Sequence, residues 1–119
     1  MSEEIIYCLN NVLDSLIIIE KRFSKIENYE DFVIDEEGLK ILDSIAMRLQ
    51  FIGENLKNIY KINKEIFDKY PEIEWNSIMK LRDVISHHYD ILDHEIIFDI
   101  CENKITHLKI VIIKLLKEN

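Results

Sequence analysis

Apolar side chains recur along this chain at alternating spacings of three and four, and that period leaves it little to fold into except packed helices. Residues 4–26 carry Ile5, Leu9, Val12, Leu13, Leu16, Ile19 and Phe23 in this register. Ile6, Ile17 and Ile18 widen the stripe, which implies that part of the helix meets another subunit. Residues 27–34 lose the period and read as a loop, with Tyr29 and Phe32 expected beneath the bundle. Asp35 is placed to cap a second helix, and Glu36 and Glu37 suit the positive end of its dipole. Leu39, Leu42, Ile45, Ala46, Leu49, Ile52, Leu56 and Ile59 carry that helix to about residue 60. Gly53 in its middle costs about 1 kcal/mol relative to alanine, so close approach of another helix is expected there. Glu54 beside it suits either a polar site or plain surface.

Ile62, Ile66 and Phe67, set among charges, imply one or two further turns that Pro71 ends, because the residue before proline disfavours helical angles. Trp75 is expected to anchor the connection in the core. A short third helix should start at Trp75 or Asn76 and run through Ile78, Leu81 and Ile85. Asp93 and Glu95 mark the start of the last helix, whose stripe is Ile96, Ile97, Ile100, Cys101, Ile105, Leu108, Ile112, Leu115 and Leu116. Ile110, Val111 and Ile113 spread that stripe nearly around the helix, more than one bundle can bury, and so point to a homodimer. The fold class read from this pattern is all-α, one domain over residues 1–119.

With 48% apolar and 32% charged residues the chain falls among soluble globular proteins. A formal net charge of −8 argues against nonspecific gripping of nucleic acid, and it makes a basic protein partner plausible. Cys8 and Cys101 lie in separate apolar helices without a Cys-x-x-Cys spacing and read as reduced core residues. No basic leader opens the chain and no apolar run reaches about 18 residues, so the expected location is the cytoplasm. His88, His94 and His107 have no cysteine or carboxylate at metal-ligand spacing; neither a metal nor a cofactor is expected.

The stretch Leu81-Arg82-Asp83-Val84-Ile85-Ser86-His87-His88-Tyr89-Asp90 breaks the pattern. Continued as a helix at about 100° per residue, Arg82, Ser86 and Tyr89 share one row, and Asp83, His87 and Asp90 share its neighbour. An ordinary bundle helix would place aliphatic residues on one of these rows. The arginine fork matches two phosphate oxygens, and histidine both accepts and donates a proton near neutrality. Asp83, four residues before His87, can fix the imidazole tautomer. This set suits phosphodiester cleavage without a metal; a cap and salt-bridge cluster at a helix end would use the same residues. With twelve lysines and three arginines in the chain, arginine rather than lysine at position 82 is itself informative, because lysine lacks the planar fork.

The order Arg82, Asp83, three residues, His87, one residue, Tyr89 resembles the signature of the HEPN superfamily. Phe51-Ile52-Gly53-Glu54, then Tyr70-Pro71-Glu72-Ile73-Glu74-Trp75, then Ile78 and Leu81 are similar to its HepT (DUF86) branch, from about residue 40 to the C-terminus. This resemblance implies an up-and-down bundle of four to five helices, the HEPN fold, as a homodimer that brings two copies of the motif into one cleft. It implies the toxin of a toxin–antitoxin pair, a metal-independent endoribonuclease acting on RNA with Arg82 and His87 catalytic and Asp83 supporting. The antitoxin would be an MntA-like nucleotidyltransferase that attaches AMP to Tyr89. His88 fills the variable place of the motif, and register favours His87 as the proton carrier. The alternative is a non-catalytic HEPN bundle that binds a nucleotide or a nucleotidyltransferase partner as a scaffold.

Overall fold

The computed structural model describes residues 1–87 and 93–118, and over 82–87 it describes the backbone alone. Among the described residues the architecture is all-α, with five α-helices and two short 3-10 turns: α1 (Glu3–Phe23), α2 (Glu36–Asn63), α3 (Trp75–His87), α4 (His94–Asn103) and α5 (Ile105–Lys117). The turns are Tyr29–Phe32, between α1 and α2, and Lys64–Lys69, between α2 and α3.

Local chemistry sets the boundaries. Ser2 caps α1 by accepting from the Ile5 N–H at 3.2 Å, and Asp35 caps α2 by accepting from the Gly38 N–H at 2.8 Å. Asp93 caps α4 by accepting from the Glu95 and Ile96 amides at 3.0 and 3.1 Å. α1 stops at Phe23, three residues short of the sequence expectation, where the Ser24 hydroxyl donates to the Lys21 carbonyl at 2.6 Å.

The segment read as a loop holds more order than its missing period implied. Asn28 accepts from the Glu30 amide at 3.0 Å, while the Asp31 carboxylate accepts from the Glu27 and Asn28 amides at 2.8 and 3.2 Å, closing a reciprocal capping box. Phe32 is fully buried as expected, but Tyr29 stays exposed, its ring 5.6 Å from that of His94. The last helix is also corrected. It divides at Lys104 (φ −121°, ψ −29°) into α4 and α5, although the Lys104 N–H still donates to Ile100 O at 2.9 Å. The bend separates two tasks, since α5 packs chiefly on α1 while α4 sits against the 3-10 turn after α1.

α1 and α2 form an antiparallel pair crossed by two side-chain bridges. Arg22 donates to Ser44, and the Asn11 amide donates to Asn55 Oδ1 at 3.1 Å, with Asn55 also donating to Phe51 O at 2.8 Å. Leu9, Leu16, Ile19, Ile45, Leu49 and Ile112 are among the core residues buried between these helices and α5. α3 lies on the other flank of α2. No helix among the described residues is long and apolar enough to cross a membrane.

Candidate functional site

The helix that carries the arginine–histidine motif is fixed firmly at its first residue. Tyr60 stacks on Phe67 at 6.4 Å, and Phe67 stacks on Trp75 at 4.4 Å with 23° between planes. The buried Trp75 indole N–H donates to the Tyr70 carbonyl at 2.9 Å, so its one polar atom is satisfied. Pro71 opens the turn, and backbone bonds from Ile73 N to Tyr70 O and from Trp75 N to Ile73 O close it. The far end of α5 clamps the same turn: Glu118 accepts from the Tyr70 hydroxyl at 2.8 Å and from Lys69 Nζ at 3.3 Å. That hydrogen bond, first among its causes, raises the Tyr70 pKa and lowers the Glu118 pKa.

From this anchor the register of α3 follows. Trp75 and Met79 are buried and stand four residues apart; the next positions on that row are 82 and 86. Asn76 and Lys80 are exposed, and their row continues to positions 83 and 87. The side chains of Arg82, Asp83 and His87, and the whole of Tyr89, lie outside the described residues. On α2, Gly53 is buried and Glu54 is exposed.

Leu49 and Ile52 of α2 meet Ile78 and Leu81 of α3 in a cleft of about 310 Å³, which Ile100 and Leu108 close on the far side. Two contacts cross its rim, an ion pair from Glu74 to Lys104 and an approach of Glu72 to the His107 ring, each 3.8 Å. Both pairs are about half exposed, where such contacts contribute at most about 1 kcal/mol. The sequence reading missed this cleft, because its walls come from segments separated by loops and no local period marks them.

The remaining chemistry-bearing groups described are structural. Burial pushes the Cys101 thiol up to about 12 and also raises Cys8, so neither supplies a thiolate at neutral pH. Glu20 on α1 accepts from Thr106 at 3.1 Å and from Lys109, pinning α5 to α1. Among the described residues no three histidine, cysteine or carboxylate side chains gather as a metal site.

Charge is distributed unevenly. Residues 26–39 and 93–103 hold ten of the 23 carboxylates and none of the 15 lysines and arginines; thirteen carboxylates against fifteen cations elsewhere leave a formal +2. The first turn of α2 stands 13 to 16 residues from Leu49 and Ile52, about 20–24 Å along a helix. That exceeds two Debye lengths at physiological salt, about 8 Å each, so the carboxylates in the first turn of α2 are largely screened from the level of α2 where Leu81 packs, whereas α4 reaches that level with Ile100.

Known proteins resemble the chain along most of its length. A protein of Methanocaldococcus jannaschii named "Putative RNase" is 32% identical over 83 residues, 70% of this chain and 64% of that protein. A second from the same organism, named "Gamma-glutamylcyclotransferase and putative RNase", is 27% identical over 118 residues, 99% of this chain and 50% of that protein. The chain therefore spans between half and two thirds of these two relatives. A protein of Thermococcus cleftensis named "Probable ribonuclease HepT" is 29% identical over 101 residues, 85% of this chain and 86% of that protein. No solved structure matches the chain significantly. Residues 12–115 match the family described as Ribonuclease HepT-like, and with that span covered the chain belongs to the HepT-like family.

Proposed function

We propose that this chain is the toxin of a toxin–antitoxin pair, a metal-independent endoribonuclease whose site is assembled from two copies. The observation that carries the reading is that α3, anchored at Trp75, runs without a break through His87. Positions 82 and 87 thereby lie five residues apart on one continuous helix. Membership of a ribonuclease-like family supports the same reading.

The chemistry follows from the residue types. A ribose 2′-hydroxyl attacks the adjacent phosphorus as the 5′-oxygen leaves, giving a cyclic phosphate. One His87 takes the hydroxyl proton while its symmetry mate protonates the leaving oxygen. Paired Arg82 guanidiniums hold the phosphoryl oxygens as charge gathers on them, and Asp83 orients the imidazole. Tyr89 is the regulatory residue: an AMP attached by a nucleotidyltransferase antitoxin adds charge and bulk where RNA phosphate must sit.

Cleavage of total RNA by the purified protein tests this assignment. Arg82→Ala and His87→Ala should each lower the rate by about 10²-fold or more. Activity that survives both changes would rule out the site. The net charge of −8 favours one second reading, a non-catalytic scaffold for the nucleotidyltransferase, which predicts no cleavage in any preparation. Co-expression with the partner should add about 329 Da per AMP to the intact mass, an increment absent in Tyr89→Phe.

A further inference from the structure

Where α1 hands over to α2 and α4 begins, large apolar side chains stand in water. Ile34 is 73% exposed, Ile96 54%, Val33 46% and Tyr29 39%. Ring contacts tie these segments into one surface. Tyr29 lies 5.6 Å from His94, and Phe32 meets Phe98 edge-on at 6.5 Å, so the 3-10 turn rests on the first turns of α4. Val33 and Ile34 follow that turn directly, and Ile96 stands two residues beyond His94.

The surface is built in advance. The capping box of Asn28 and Asp31 fixes the turn, and Gly38 at the start of α2 lies against the Asp31 main chain with no room for a Cβ. A preformed apolar surface loses little conformational entropy when it is covered.

The surrounding charge selects what covers it. The carboxylates of residues 27–37, with Asp93 and Glu95, flank the apolar residues along the chain, and no lysine or arginine falls within 26–39 or 93–103; Lys40, just beyond, lies 4.0 Å from Glu36. Asp31, Asp35 and Asp93 among them accept from backbone amides. A twofold copy docking through this same surface would set carboxylate against carboxylate, and RNA or an anionic membrane would be repelled likewise. An uncharged apolar partner would leave the carboxylates bordering the contact without counter-charge.

We propose that this end of the bundle docks a basic polypeptide segment in which large apolar side chains alternate with lysine or arginine. The aliphatic residues cover Val33, Ile34 and Ile96, and the cations lie along the carboxylates around them. The proposal stands apart from the ribonuclease reading, since it uses no residue of the motif.

The test is a titration of the full chain with a synthetic leucine–lysine helical peptide, followed by amide chemical shifts. A peptide of equal charge with serine for leucine is the control. The leucine–lysine peptide should move amides within 29–39 and 93–99. Its affinity should fall about tenfold or more, at least 1.4 kcal/mol, in Val33→Ser/Ile34→Ser, and comparably in Glu30→Lys/Glu37→Lys. Ile62→Ser, on a helix end away from this surface, should leave it unchanged. Equal binding of the serine peptide, or unchanged affinity in the serine double variant, would reduce the effect to nonspecific attraction and overturn the proposal. So would a wild-type dimer that Val33→Ser/Ile34→Ser converts to monomer, because the surface would then belong to a second copy. RNA cleavage by the same variants reads the motif separately, so failure here and failure of the ribonuclease assignment are distinguishable.

Discussion

Gly38 has no room for a side chain, because a Cβ there would run into the main-chain carbonyl of Asp31. Gly38→Ala should therefore cost roughly 1–3 kcal/mol, read as a lower urea midpoint at unchanged slope. An unshifted midpoint would show that the turn moves aside freely. Trp75→Ala removes the ring that joins Phe67 to the start of α3 and should cost about 3–5 kcal/mol by the same assay. The Tyr70–Glu118 contact adds a pH dependence with two edges. The Glu118 pKa is lowered, so its contribution is complete above the usual carboxylate value of 4.5 and fades as pH falls through the lowered one. The Tyr70 pKa is raised, so its contribution holds up to its usual value of 10.0 and fades as pH climbs through the raised one. Tyr70 should titrate at lower pH in Glu118→Ala, as followed by phenolate absorbance; identical curves would contradict the contact. Asp35, Asp93 and Trp75 were legible in the sequence because each acts on residues close along the chain. Gly38 and the Asn11–Asn55 bridge were not, since their meaning depends on a packed neighbour, in the second case 44 residues away.

Elements were legible wherever the apolar period ran unbroken. α2 and α3 appear close to the limits their caps and proline imply, and the start of α3 at Trp75 was one of the two positions expected. The division of the last helix was hidden because Ile100, Cys101, Ile105 and Leu108 hold the helical period straight through Lys104, with no glycine or proline to mark a stop. Tertiary packing decides it: α4 serves the turn after α1, and α5 serves α1 itself. The Asp93 cap should matter to α4 in proportion to its two amide bonds. Asp93→Ala should cost about 1 kcal/mol and raise amide exchange first at Glu95 and Ile96. Exchange unchanged at those amides would mean that water replaces the carboxylate without loss.

For the molecule as a whole, the sequence showed an all-α bundle and a motif on its third helix, but net charge concealed how that charge is arranged. A value of −8 argues against RNA only when spread evenly, and here the excess sits in two segments, 26–39 and 93–103, while the rest carries +2. The central claim is that Arg82 and His87 cleave RNA without a metal, through attack by the substrate's own 2′-hydroxyl. Its most direct test is the chemistry of the cut ends when purified protein digests RNA in excess EDTA. The account predicts undiminished cleavage leaving 2′,3′-cyclic phosphate and 5′-hydroxyl ends. Cleavage abolished by the chelator, or leaving 3′-hydroxyl and 5′-phosphate ends, would contradict it.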